Sequence, residues 1–214
     1  MAGTFKDKGL VIKEWAAGEN DKRLLLLLFE RGRTAVFARG AGKPKSKFHA
    51  CAQTFAFGEY LFYEGAGFLS VAQCELMQNF YGVRRDFDRL CLASHVLEMA
   101  ERMILPGMPC QNELRLIYLA LQRLSETDYP PRLAAVVFEL KFLQMEGFCD
   151  RLLPGITLSA QAGKAVEWVL ESGLKDIFSF NLPEKTVLEL SGALDMFRRG
   201  ILDSPPRSIN LLNS

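Results

Sequence analysis

Apolar positions alternate with polar ones over roughly the first eighty residues and then change to helical spacing. Phe5, Leu10, Ile12 and Trp15 mark an extended run that ends in the turn-forming residues Ala17-Gly18-Glu19-Asn20-Asp21. A second strand is predicted from Leu24 to Phe29. Leucine favours helices, but a run this short, bounded by Asn20-Asp21 and Arg31-Gly32, cannot sustain one. Thr34, Ala35, Val36 and Phe37 form a third strand. A fourth runs from about Gln53 to Tyr63, and a fifth from Phe68 to Leu76 follows the hairpin turn Glu64-Gly65-Ala66-Gly67. Five short strands with Gly-containing turns predict a small closed barrel of OB type, with an SH3-like barrel as the alternative.

Beyond Tyr81-Gly82 the spacing of Phe87, Leu90, Cys91, Leu97 and Met103 predicts a helix over 84–104, broken by Pro106, Gly107 and Pro109. Asn112 is the expected N-cap of a second helix ending near Ser125. Pro130-Pro131 opens a third over 132–147, apolar around most of its circumference and so expected at the centre of a bundle, with Gly147 at its end. Further helices are predicted from Ser159 to about Ser172 and from Pro183 to about Arg199. Between them lies a short element, Leu174 to Phe180, and after them an extended tail from Asp203. The fold class is α+β in two domains, a barrel over 1–80 and an all-α domain over 81–214.

Composition changes this picture in one place. The 214 residues are 49% hydrophobic and 24% charged with a net charge of +1, as in ordinary globular proteins. Yet Arg31, Arg33, Arg39, Lys43, Lys45 and Lys47 crowd into seventeen residues that hold no acid, RGRTAVFARGAGKPKSK. A cationic loop on a rigid strand suits a polyanionic backbone, although a merely solvated loop has the same composition. The N-terminus has no secretory pattern, and the Leu24–Phe29 run is far below the about 20 residues of a membrane span. A cytoplasmic protein is therefore expected. Cys51, Cys74, Cys91, Cys110 and Cys149 are odd in number and widely spaced, which predicts reduced thiols.

Motifs for other chemistry fail on their spacing. Gly40-Ala41-Gly42-Lys43 is not a P-loop, because Phe37 stands where the first glycine is required and Pro44 where the Ser or Thr is required. No Cys-x-x-Cys pair exists, and His49 and His95 are the only histidines. No catalytic residue, metal or cofactor is expected. Gly40 and Gly42 are candidates to bring backbone N–H donors to a phosphate. Phe55, Phe57, Tyr60, Phe62 and Tyr63 could stack bases, but alternation sends about half of them into the core, and the wet face stays open.

The ordered set of features resembles the bacterial RecO family of recombination mediators. Gly9-Leu10-Val11-Ile12-Lys13 and Asn20-Asp21-Lys22 are similar to its opening strand and turn. Gly32-Arg33, Ala38-Arg39-Gly40-Ala41 and Lys43-Pro44-Lys45-Ser46 resemble its basic loop, and Gln53 with Phe55 its fourth strand. Gln73-Cys74-Glu75-Leu76, Arg84-Arg85-Asp86 and Glu139-Leu140-Lys141-Phe142-Leu143 with Gly147-Phe148 extend the likeness, which is closest over 5–104 and faint beyond 148.

The resemblance implies an OB-fold and a helical domain, binding of single- and double-stranded DNA, strand annealing, and help in loading RecA onto DNA covered by single-stranded DNA-binding protein (SSB). RecR and the acidic C-terminal tail of SSB are the implied partners. The tail needs an apolar pocket rimmed by cations, for which Arg123, Arg132 and Lys141 are candidates by chemistry. Many family members carry a four-cysteine zinc site after the central helix; here only Cys149 stands in that region, so no zinc finger is expected. An RNA-binding OB protein and a non-enzymatic protein-interaction adaptor are the competing readings.

Overall fold

A computed structural model describes residues 3–65, 67–148, 153, 155–202, 204 and 206–210. It divides into two compact units. The first comprises the chain through Phe80 together with Glu101–Leu114; the second comprises Tyr81–Ala100 and the chain from Arg115 onward.

The first unit is built on five strands: β1 (Gly3–Ala16), β2 (Lys22–Leu28), β3 (Gly32–Ala38), β4 (Phe57–Gly65) and β5 (Phe68–Gln78). They close into a barrel in the order β1-β2-β3-β5-β4, the five-stranded OB architecture. β1 is long because it serves two partners. Its first half pairs antiparallel with β4 and its second half with β2, and the strand bends at a bulge between Val11 and Lys13. A short parallel contact, Phe37 opposite Ser70, completes the ring. The leucine run does form a strand. Leu24, Leu26 and Leu28 point into the core with Val11, Val36, Tyr60, Phe62 and Val71, while Leu27 is buried on the other face.

Residues 101–114 return to this unit and lie along the β2–β3 turn. Gly107 N–H donates to the Arg31 carbonyl at 3.0 Å and Cys110 N–H to that of Phe29 at 3.2 Å. Gly32 makes the approach possible. Its φ is +60°, and a Cβ there would stand 2.2 Å from the Met108 carbonyl oxygen and 2.7 Å from that of Leu105.

The fourth strand starts at Phe57, not at Gln53 as its aromatic content predicts. Phe55 has a left-handed φ of 72°, and its N–H is taken by the Val11 carbonyl at 2.9 Å, so 53–56 form a turn against β1. Tertiary burial of the Phe55 ring overrides its strand propensity.

The second unit contains α1 (Phe87–Met103) up to Ala100, α2 (Gln111–Ser125) from Arg115, and then α3 (Pro131–Met145), α4 (Ala160–Glu171), α5 (Glu184–Ile201) and a single turn, α6 (Arg207–Asn210). As expected from its composition, α3 is buried on nearly every side, and it packs against α4 and α5. Gly147 follows it with φ +79°, and the Phe148 N–H closes back on the Leu143 carbonyl at 2.8 Å. The Ser159 hydroxyl caps α4 by accepting from the Ala162 N–H.

Three expectations fail locally. Asn112 lies inside α2 instead of capping it, because the turn onto the helix is already made at Cys110, whose carbonyl accepts the Leu114 N–H at 2.8 Å. The Leu174–Phe180 stretch is a pair of turns closed by Asp176 and Ser179 N–H bonds, too short for a helix. Residues 207–210 of the expected extended tail are helical, with Ser208 held by the Glu98 carboxylate. Residues 203, 205 and 211–214 of that tail lie outside the described residues.

A buried ionic cluster ties α1, α3 and α5 together. Glu139 on α3 accepts from both His95 Nε2 (3.1 Å) and Arg198 Nη1 (2.6 Å), and Arg198 also reaches Asp195 at 3.1 Å. Burial by itself would raise the Glu139 pKa. The His95 hydrogen bond and charge, with the Arg198 guanidinium, outweigh it and hold the carboxyl below its ordinary 4.5.

Two predictions follow from the packing. Replacing Gly32 by Ala should lower stability to urea by roughly 1–3 kcal/mol, read from barrel unfolding through Trp15 fluorescence, because a Cβ must displace backbone and adopt a left-handed φ. A Glu139→Gln variant should lose about 3–5 kcal/mol at neutral pH by circular dichroism, since it leaves the buried Arg198 with Asp195 as its one described counter-charge. In the wild type, the stability Glu139 contributes is complete above pH 4.5 and disappears as pH falls through the depressed folded pKa. The Gln variant should lack that acid-side loss.

Candidate nucleic-acid interface

The basic stretch leaves β3 at Ala38 and becomes a chain of tight turns through Ala56, not an open loop. Successive N–H to carbonyl bonds run Ala41 to Ala38, Lys43 to Gly40, Ser46 to Lys43, His49 to Ser46 and Ala52 to Phe48. Ala41, Phe48, Cys51, Ala52 and Ala56 belong to the barrel core. The apolar side of the segment therefore closes one part of the barrel, and its charged side faces water.

Several bonds hold this cap in place. Lys22 reaches both the Glu14 carboxylate and the Ala52 carbonyl, the latter at 3.1 Å, and the buried Tyr60 hydroxyl donates to the Cys51 carbonyl at 2.9 Å. Cys74 on β5 shares a hydrogen bond with Cys51, which lowers the Cys51 thiol pKa and raises that of Cys74. Cys51, Cys74 and Cys91 are free thiols, the first and third buried; the buried Cys110 thiol donates to the Leu28 carbonyl at 3.2 Å, and Cys149 lies outside the described residues.

The six predicted cations separate into two groups. Arg39, Lys43, Lys45 and Lys47 are exposed, and none pairs with a described carboxylate. Arg39 lies 5.6 Å from the Phe68 ring and Lys47 4.8 Å from Phe48. Arg31 and Arg33 are engaged elsewhere. Arg31 stacks 3.5 Å over the Phe5 ring and meets Glu64 at 3.4 Å, while Arg33 donates to the Glu101 carbonyl. Both line an open hollow of about 660 Å³ with Glu64, Phe68 and Pro106.

The glycine amides expected to meet phosphate are already occupied. Gly40 N–H donates to Asp21 Oδ1 at 2.7 Å and Gly42 N–H to the Asn20 carbonyl at 2.9 Å. Gly40 takes φ +71°, and a Cβ at Gly42 would press on Asn20 backbone at 3.1 Å. These glycines shape the turns and do not offer donors. The acceptors come from Asn20 and Asp21, so the first hairpin turn positions the basic segment.

Sequence alternation among the aromatics resolves as follows. Tyr60 and Phe62 are fully buried in the barrel and stacked at 5.8 Å, and Phe55 is buried in its turn. Tyr63 alone of the five is well exposed. Three further rings on the barrel strands are exposed: Trp15, Phe37 and Phe68. Period-two reading of β3 could have found Phe37, which is out of phase with Val36 and Ala38, whereas Trp15 is in step with the core residue Val11 and faces outward only because of the bulge between Val11 and Lys13.

The three cations considered for partner binding are not brought together. Arg123 pairs with Glu126 at 2.8 Å and covers Tyr129, Lys141 donates to the Leu170 carbonyl at the end of α4, and Arg132 lines a cavity. Partial burial lowers the Lys141 pKa, which suits a structural donor. His49 is exposed, while His95 is wholly committed to the helical core. Among the described residues no group of three or more His, Cys, Asp and Glu side chains could hold a metal, and no helix is long and apolar enough to cross a membrane.

The Asp21–Gly40 bond gives a direct test of how the segment is held. Removing it with Asp21→Ala should cost about 1 kcal/mol of local order, or roughly a fivefold larger open population. Limited trypsin digestion after Arg39, Lys45 and Lys47 should speed up by about that factor. Unchanged cleavage would mean that the turns are held by the core alone.

Two family models match the chain in succession. The N-terminal family model of recombination protein O matches residues 1–80, and its C-terminal model matches residues 84–152. A DNA repair protein RecO of Acetivibrio thermocellus is 27% identical over 218 residues, covering 87% of each chain. The protein of the same name from Moorella thermoacetica is 31% identical over 71% of this chain, although that match spans only 56% of the Moorella protein. The Clostridium novyi protein is 24% identical over 98% of this chain and 93% of its own. With residues 1–80 and 84–152 matched by the two models of one family, and relatives of that name aligned over most of this chain, the chain belongs to the RecO family of DNA repair proteins.

Proposed function

We propose that this protein is a non-enzymatic, cytoplasmic mediator of recombinational repair that binds single- and double-stranded DNA without reading sequence. In this reading it anneals complementary strands and helps load RecA onto SSB-covered single strands, with RecR and the acidic SSB tail as partners. The observation that carries it is the outward row Arg39, Lys43, Lys45 and Lys47, fixed on core-anchored turns and unpaired with any described carboxylate. Preset cations lose little conformational freedom on meeting phosphates, and each contact releases counterions from the nucleic acid. Two strands held this way repel one another less while their bases stay available, which favours annealing.

For the SSB tail, Arg132 is the candidate with a supporting cavity. About 220 Å³ of space in the helical unit is lined by Arg132, by the apolar Leu92, Leu188 and Ile209, and by Arg198 with its partners Glu139 and Asp195. Apolar walls beside Arg132 match the chemistry of an acidic tail with an apolar end, the Arg198 charge being already met by Glu139 and Asp195. Arg123 and Lys141, engaged in their own contacts, are weaker candidates.

The test is a salt titration of single-stranded DNA binding, with a strand-annealing assay, on wild type and a Lys43→Ala/Lys45→Ala/Lys47→Ala variant. Three lost contacts should flatten the slope of log K against log salt by roughly 2, at about 0.7 per single-strand phosphate. Annealing should slow in parallel. A variant that keeps both slope and annealing rate would remove the segment from the interface. Equal competition by RNA of the same sequence would favour the RNA-binding reading instead.

A further inference from the structure

We infer that Trp15, Phe37, Tyr63 and Phe68 form a base-stacking row on the outer face of the barrel, specific for single-stranded DNA. The inference rests on the DNA-binding reading above and adds a ligand surface distinct from the lysine turns. The register places the row. Trp15 on β1 is opposite Arg23 on β2, Arg23 is opposite Phe37 on β3, Phe37 meets Ser70 on β5, and Ser70 is opposite Tyr63 on β4. Residues directly opposite one another across neighbouring strands share a face, so these side chains form one outward line around the barrel. Phe68 flanks Tyr63, with ring centroids 6.4 Å apart.

Each ring is exposed to a similar degree: 41% for Trp15, 39% for Phe37, 40% for Tyr63 and 37% for Phe68. The barrel core is already filled by Tyr60, Phe62 and the aliphatic residues of β1, β2 and β3, so these rings are not needed for packing. Polar residues would serve the fold equally well at outward positions. Cations are interleaved with them. Arg23 stands between Trp15 and Phe37, Lys13 Nζ lies 5.4 Å from the Trp15 ring while pairing with Glu101, and Arg39 is 5.6 Å from Phe68.

A hollow of about 400 Å³ opens between Trp15 and Phe37, floored by Ala16, Ala17 and Arg23. Two strand spacings separate the two rings, about 9–10 Å along the sheet, which leaves room for a flat ring to enter. Small residues at its base keep the hollow open. Aromatic faces with guanidinium groups between them fit unpaired bases and the phosphates joining them. An apolar protein segment would leave those cations without partners. The row is also continuous with the basic segment, because Phe37 and Arg39 lie two residues apart as β3 runs into the turns. A single strand can thus lay bases on the row and phosphates along the lysines. A duplex, its base faces hidden in the stack, can use only the lysines.

The probes are an oligothymidylate, an abasic oligomer of equal length and a blunt duplex. In a Trp168→Phe background Trp15 is the sole tryptophan and reports directly. Oligothymidylate should quench its fluorescence, and the abasic oligomer should leave it nearly unchanged. Trp15→Ala and Phe37→Ala should each weaken oligothymidylate binding roughly tenfold, with the salt slope and the duplex affinity unaltered. Trp15→Phe, which keeps a π face, should recover most of the loss and guards against misfolding as the cause. The row is refuted by undiminished oligothymidylate affinity in the Ala variants, or by equal losses for the abasic oligomer and duplex. It is also refuted if those variants abolish a concentration-dependent self-association and leave DNA binding intact. Wild-type protein that binds none of the three probes would overturn the DNA-binding reading itself, a separate outcome.

Discussion

Burial of one side of residues 41–56 beneath the barrel is the constraint on which the candidate interface depends. Ala41, Phe48, Cys51 and Ala52 enter the same core as Leu24, Leu26 and Phe62. Their burial supplies the ordering free energy that a Gly-, Pro- and Lys-rich segment cannot generate from its own turns. Once those side chains are fixed, the lysines between them have one direction left, outward. Asp21, Asn20 and Lys22 complete the arrangement by satisfying the backbone groups that the turns leave over.

This anchoring separates affinity from selectivity. In the proposed role, cations on fixed turns attract any phosphate backbone over a distance set by screening, so single strands and duplexes are drawn alike. Discrimination has to come from groups that touch what a duplex hides. The register of the barrel puts aromatic rings and Arg23 on the face that continues from those turns. Arg31 and Arg33 belong to neither set, being spent on Phe5, Glu64 and a main-chain carbonyl.

The helical unit is organised by a different interaction. Glu139, His95 and Arg198 are withdrawn from water together, and the cost is tolerable only because each charge meets a partner within hydrogen-bond reach. At the 38–56 turns, by contrast, Arg39, Lys43, Lys45 and Lys47 are exposed and pair with no described carboxylate. One unit has its charges locked for structure, and the other leaves them available.

Much of this was legible in the residues themselves. Period-two patterning and turn chemistry determined five strands, and three-to-four spacing determined the principal helices, because these periods follow from backbone geometry alone. The acid-free run from Arg31 to Lys47 marked the basic segment, and Phe37 with Pro44 excluded a P-loop. What tertiary structure decided were the competitions between neighbours. Phe55 became a turn residue because its ring found the core, Gly40 and Gly42 gave their amides to the adjoining hairpin, and Asn112 lost its capping place to Cys110. Strand register alone aligned Trp15, Arg23 and Phe37, residues 15, 23 and 37 in the chain, on one outer face. Local sequence sets which faces a strand has; only closure of the barrel sets which of them is wet and which side chains from distant strands stand side by side.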